Sequence, residues 1–560
     1  MPESQEVRAR CADELLRLAR MGAAYPTRLS FSRALVRRMA REQWQFERVL
    51  FDLDTDGFGT AVLAVHLGRR TYSLVAFSHY LDPEKRTDRV IAEAWDATFN
   101  LFDGLPAEED LTRLAANTPK QEAGRFTAKE LVLARANKSV RLFEHVAASL
   151  AQGRQPSPDL LGRVGYLMRT TAVYGNGKFG CSDRARIGDR EEFRSAFQVE
   201  MLCVYLIRWF TFELVEHIAR CRGGEAACRL DGGVKRYLGI GNATGLGMAP
   251  FLVSHPALLH RWVEAKEQAL VHVCARPSAT PVEQSRWLAL LQRANSHMHE
   301  WNVDDLQQQE RIQCVREELA SLALWTERHY PRPWQDHPWA ALFRQAEAFS
   351  LEGQELITAL LLEIDDGFAD TLADQLFTDV EGEPLDVTMT VGELRALIDT
   401  HYHWLERIDF YTPRANKFFW YYSNEKFEPR LGQRAIEAGS ELEMPVTVAR
   451  DVHRLRTALQ SAQVSTPLAH FLVSRPQHRH VAARVQQISQ LDYGEIRDNL
   501  IGDGMRPIDL LRFKLAFFGA SKFDPKSELW TRIALFQGAP SPQQLTEPDA
   551  DDWAFPLQPR

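Results

Sequence analysis

Apolar residues first recur at helical spacing, and up to about residue 43 they predict two amphipathic helices broken near Ala24-Tyr25-Pro26. The period then shortens to two. Trp44 to Asp54, Phe58 to Leu67 and Thr71 to Ser78 read as strands, joined by turns at Asp56-Gly57 and Gly68-Arg69-Arg70. Three such runs with short connections form an antiparallel meander. From Asp82 helical spacing predicts an element through Asn100, and this leading unit ends near Asn117-Thr118-Pro119. Beyond it, helices are expected over Ala128 to Gln152, Pro158 to Thr171 and 191–222, then from Pro250 to about 330. Residues 339–377 read as helical, Phe377 to Met389 as briefly strand-like, and 445–463, 476–490 and 507–518 as further helices. The expected class is therefore α+β and predominantly α-helical, with a small antiparallel β-meander near the N-terminus packed on a large helical body.

Punctuation suggests four segments. These are an α+β unit over 1–118, a helical segment with Gly-rich loops over 119–335, a second helical segment over 336–537, and a Pro-rich tail over 538–560. The tail is expected to wrap the surface or stay mobile. The apolar stretch Met201 to Val215 contains Arg208 and Glu213, which marks a buried core helix and not a membrane span.

Composition narrows the function classes. The net charge of -8 argues against a nucleic-acid partner, which needs a basic footprint. Ten arginines lie among the first fifty residues, spaced as a solvated helix face. The seven cysteines include no C-x-x-C pair, so neither a disulfide framework nor a cysteine zinc site is expected. No secretory signal is evident, and a cytoplasmic location without a membrane partner follows. A homo-oligomer is compatible with these features.

Two short strings recur in the same order. Tyr174-Gly-Asn176-Gly-Lys178-Phe179 returns as Tyr422-Ser-Asn424-Glu-Lys426-Phe427, both Y-x-N-x-K-F. Asp56-Gly57-Phe58 is echoed by Asp366-Gly367-Phe368, and Phe251-Leu-Val-Ser254 by Phe471-Leu-Val-Ser474. The order reads as a diverged internal duplication or as chance recurrence. A phenol, an amide and an ammonium form an anion-binding set. In the first copy glycines allow close approach to main-chain N–H groups, and Arg184 adds charge. Cys181 in that loop is a candidate nucleophile beside two cations. Around the second copy, Arg414 and Arg430 join aromatic residues in a strand-like pocket wall.

The glycine cluster from Gly239 to Gly247 has Thr244 where a dinucleotide fingerprint requires its third glycine. It reads instead as a turn, structural or substrate-facing, with Asn242 and Thr244 available for hydrogen bonding. Among three H-x-H pairs, His297 and His299 lie between expected helices and form the one metal candidate. Asp365, Asp366 and Asp370 read as a surface acidic face.

The expected function is an enzyme of lyase or isomerase type, moving protons on a small anionic carboxylate or phosphate substrate without a cofactor. Tyr174, Lys178, Tyr422 and Lys426 are the catalytic candidates, because a tyrosine beside a cation can exchange protons. Asn176, Arg184, Asn242, Thr244, Arg414, Asn424 and Arg430 are the substrate-binding candidates. The rival readings are a non-catalytic anion sensor or scaffold, and a metal-dependent hydrolase or oxygenase using His297 and His299.

Overall fold

The computed structural model describes residues 7–80, 95–120, 126–170, 187, 189–245, 255–330, 334–376, 385–410, 418–422, 427–431, 445–497, 509–526 and 530–559. The fold is α+β and predominantly helical, as the patterning implies. The expected meander is present as β1 (Gln45–Leu53), β2 (Gly59–Leu67) and β3 (Arg70–Ser78). It is one flank of a larger sheet that also holds β4 (Ala97–Asp103), β5 (Glu130–Lys138), β6 (Tyr166–Thr170) and β7 (Gly239–Gly245). A separate hairpin pairs β8 (Phe418–Tyr422) with β9 (Phe427–Leu431). Near the C-terminus β10 (Phe523–Pro525) and β11 (Trp530–Leu535) return to the main sheet. The order is β1-β2-β3-β4-β5-β6-β7-β11-β10, antiparallel except between β6 and β7. The sheet thus draws strands from three of the segments that punctuation separates.

The structure corrects several of these expectations. The long helix over 128–152 is strand β5 followed by the helix Phe143–Ala151. Val132, Ala134 and Ala136 face the core while Leu133, Arg135 and Asn137 alternate with them. Alanine's helix propensity yields to pairing with strands on both sides. The element expected through Asn100 ends instead in β4, buried along nearly its whole length. The helix from Pro158 stops at Val164, capped by left-handed Gly165 (φ 75°), and β6 follows. As far as Gly245 the glycine cluster is not a turn but β7. A Cβ on Gly241 would collide with the Tyr166 ring at 2.4 Å, so glycine there lets the neighbouring strand's side chain close over the backbone. Over 385–389 the expected strand character forms no regular strand.

The long helix Gln198–Gly223 lies on the inner face of the sheet and buries almost every side chain from Gln198 to Ala219. A helix apolar all round is covered on all sides, and this one joins parallel β6 to β7 as a crossover. Among the described residues, no helix is long and apolar enough to cross a membrane. On the outer face Val62, Val75, Phe77 and Phe102 pack beneath Leu114 of the helix Glu108–Asn117.

The arginine-rich start departs most from expectation. Arg20, Arg28, Arg33, Arg37 and Arg38 are buried, not solvated. Arg28 and Arg33 both bond Glu363, itself buried, and Arg28 and Arg37 both meet Asp370. Asp370 and Asp366, which bonds Arg286 at 2.7 Å, are therefore ion-pair partners and not a bare acidic face. Charges survive burial when paired and hydrogen-bonded. The tail is fastened by the same means, with Asp551 bonding Arg28 and Asp552 bonding Arg293.

Candidate functional site

One group of chemically active side chains gathers at the end of the sheet where β7 and β10 begin and β11 finishes. Its anchor is Arg208, fully buried in the long helix. Arg208 donates to the carbonyls of Leu238 and Lys235 at 2.7 Å, Ala539 at 2.8 Å and Pro540 at 3.2 Å. No carboxylate is among these partners, and burial pulls its pKa down to about 10. The guanidinium fork therefore clamps two chain segments together through their backbones. One of them is the end of the helix Gly232–Tyr237, whose start is capped by Asp231.

That clamp fixes Tyr237 in the core, where Lys522, just before β10, donates to its Oη at 3.1 Å. Ser521 donates to Gln537 Oε1, which follows β11. From the last turn of the helix Pro281–Glu300 come His297 and Glu300. His297 Nδ1 donates to the Pro556 carbonyl at 2.8 Å, and Glu300 accepts from Gln558 N at 2.8 Å. The tail thus closes over the group. Beside Lys522 lies a cavity of about 20 Å³ bordered by Tyr25, Trp301, Arg512 and Phe523. That is room for a single water molecule. Arg512 is held by both oxygens of Glu352 and is charge-neutralised.

Electrostatics divide the roles. Burial lowers the Lys522 ammonium to about 8, with Glu300 opposing the shift. Burial raises the Tyr237 phenol well above its ordinary value, and Glu300 adds to it. Burial and then the Lys522 charge lower His297 to about 3, so the imidazole is neutral near physiological pH. Sequence alone points to a tyrosine beside a cation as the proton-exchanging group. Here the lysine is the softened member of the pair and the phenol keeps its proton. A neutral amine at 3.1 Å from a protonated phenol can accept a proton and return it close to neutral pH.

The residues singled out by sequence are distributed elsewhere. Tyr174, Asn176, Lys178, Cys181, Arg184, Arg414, Asn424 and Lys426 lie outside the described residues. Tyr422 and Arg430 are placed by backbone only, pairing with Phe427 and Phe419 across the β8–β9 hairpin. Asn242 sits on β7, 1% exposed, and its amide N and O have no hydrogen-bond partner among the described residues. Thr531, on the same face of β11, pairs through its backbone with Thr244, and its hydroxyl has no partner among the described residues. These two polar groups share one face of neighbouring strands.

The metal reading is corrected by geometry. His297 and His299 lie within one helix, two residues apart, so their rings diverge. His297 points into the core, and exposed His299 bonds the carbonyl of Asn295 in its own helix at 2.8 Å. Of the repeated strings, Asp56-Gly57-Phe58 forms a hairpin loop whereas Asp366-Gly367-Phe368 opens a helix, so that pair shares no structural position. Phe471 to Ser474 is helical, and Phe251 to Ser254 lies outside the described residues.

Lys522, Tyr237 and Arg208 were not singled out as site residues. A usable signal exists for Lys522, because it ends a mostly apolar run from Leu510 in which cations, here Arg512, Lys514 and Lys522, are costly to bury. Compared with family models, with curated proteins and with solved structures, the chain matches none.

Proposed function

We propose that the protein is an enzyme moving protons on a small anionic substrate, of lyase or isomerase type, with Lys522 as the proton-accepting group and Tyr237 as its hydrogen-bonding partner. The observation that carries this reading is the 3.1 Å contact between Lys522 and Tyr237 in surroundings that hold the amine near pH 8. Lys522 is only partly buried, so in its protonated form it attracts an anion at its exposed side and not within the one-water cavity, and in its neutral form it takes a proton from carbon or water. Arg208 is a positioning residue, since it acts through the backbone on either side of Tyr237. The six described cysteines form no disulfide with one another, which supports placing the reaction in the reducing cytoplasm.

The test works whatever the substrate turns out to be. A panel of small carboxylates and phosphate esters is incubated with the protein in deuterium oxide, and solvent deuterium entering carbon positions is read by mass spectrometry. Wild-type protein should label at least one compound, with a rate rising through about pH 8. Lys522→Met should abolish labelling and Tyr237→Phe should slow it by about 10²-fold. Labelling retained by Lys522→Met, or no labelling across the panel, would sink the assignment.

A further inference from the structure

A second site lies away from Lys522, where the N-terminal segment crosses two helices. A cavity of about 230 Å³ opens there between Arg8 and Arg10 on one side and Phe343 and Arg344 on the other, with Glu347 and Gln354 at its margin. Phe343 and Arg344 belong to the helix Pro338–Ala346, and Gln354 to the helix Leu351–Leu361. The space is somewhat smaller than the roughly 300–1,000 Å³ typical of sites for drug-sized ligands.

The back wall of this cavity is already charge-matched. Arg10 bonds Glu267 Oε1 at 2.7 Å and Oε2 at 3.0 Å, and Glu355 at 2.9 Å. Its guanidinium also stands 5.7 Å from the centre of the Phe343 ring. Glu355 is shared with Arg20 and Lys266, each at 2.9 Å, and Arg20 reaches Glu14 at 2.8 Å and Gln354 at 2.9 Å. These bonds hold Arg10 in one orientation and leave its neighbours little freedom to turn elsewhere. At the front, the side chains of Arg8 and Arg344 make no hydrogen bond or ion pair among the described residues. Two carboxylates lie on the lining; Glu14 is taken up by Arg20, which leaves Glu347. Two unmatched guanidiniums against one carboxylate leave the mouth with a net positive charge.

We propose that this cavity binds a compact oxyanion, a carboxylate or phosphate group, gripped by Arg8 and Arg344 in front of the fixed Arg10. Guanidinium forks match the paired oxygens of such groups, and a partly enclosed cavity strengthens the attraction. The aromatic floor of Phe343 accommodates a short carbon body behind the charged end. Nothing in this site depends on Lys522, so it stands or falls separately from the proposed reaction.

Isothermal titration of the full chain at low ionic strength, with inorganic phosphate and with succinate as separate probes, tests the site. At least one probe should bind saturably, and the tighter of the two identifies the preferred group. Arg344→Gln and Arg8→Gln should each weaken that binding by ~10-fold, and the double variant should abolish it. Arg229→Gln, at an exposed position elsewhere, should leave it unchanged. Circular dichroism melts of the variants should match wild type, because neither arginine holds another residue in place. Absence of saturable binding by both probes, or equal binding by wild type and the double variant, overturns the proposal.

Discussion

His297 offers a test in which the magnitude follows from one buried group. The ring is 1% exposed, donates to the Pro556 carbonyl and faces the Lys522 charge. Its pKa is about 3 in the folded protein against 6.5 ordinarily. The unfolded chain therefore takes up a proton that the folded chain refuses over this interval, and stability falls as pH drops from 6.5 toward 3. Between about pH 6 and about pH 4 this one group withdraws about 2.5 kcal/mol. Asparagine at 297 keeps an N–H in the position of Nδ1 and cannot titrate. The His297→Asn variant should be less stable than wild type near neutrality, because ring packing against Trp301 and Phe555 is lost. The gap should then close by about 2.5 kcal/mol at the lower pH. Denaturant titrations of both proteins at each pH give the number, and the carboxylates common to both cancel in the difference. A gap that stays constant across the two pH values would show that His297 is already accessible to protons and refute the buried-imidazole argument.

Three further outcomes follow from the packing. Glu363→Gln leaves Arg28 and Arg33 without their shared carboxylate and should cost about 3–5 kcal/mol by denaturant titration; a cost under about 1 kcal/mol would mean the cluster is hydrated. Asn100→Leu removes a fully buried amide whose N and O have no partner among the described residues, so the thermal midpoint should hold or rise by an amount equivalent to about 1–3 kcal/mol, and a clear fall would count against that reading. Asp551→Asn weakens the bond from the tail to Arg28, and chymotryptic cleavage at Trp553 or Phe555 should accelerate several-fold while the rest of the chain resists; unchanged cleavage would place the tail's anchorage elsewhere.

What patterning could reach depended on how local the cause was. The helix Gln198–Gly223 was legible because its apolar residues run on without a breaker, and the meander because β1, β2 and β3 are joined by short turns. Strands β4 and β5 were not, since β4 is covered on both faces, which erases its alternation, and Ala134 and Ala136 lend β5 the look of a helix. Strand β11 pairs locally with β10 but joins β7 across nearly three hundred residues, and no window of neighbouring residues contains that second pairing. The arginines misled for a related reason. Arg28 and Arg33 find Glu363 more than three hundred positions away, so a run of positive charge that is neutralised in space reads as solvated along the sequence. The candidate chemistry behaved likewise. Asn242 could be named from its own segment, but Lys522 and Tyr237 become a pair only after the last strands return.

The late return of β11 to β7 has a consequence for biosynthesis. A ribosome adding roughly 5–20 residues per second needs about 15–60 s to travel from Gly245 to Trp530, and through that interval β7 has an open edge. An unpaired strand edge recruits other strands, including those of neighbouring nascent chains. The glycines of β7 supply little side-chain surface to discourage this, so chains halted before residue 530 should be the aggregation-prone species during expression. Completion of the sheet and assembly of the Lys522–Tyr237 pair are the same late event. A nascent chain therefore acquires this chemistry only after nearly all of it has been made.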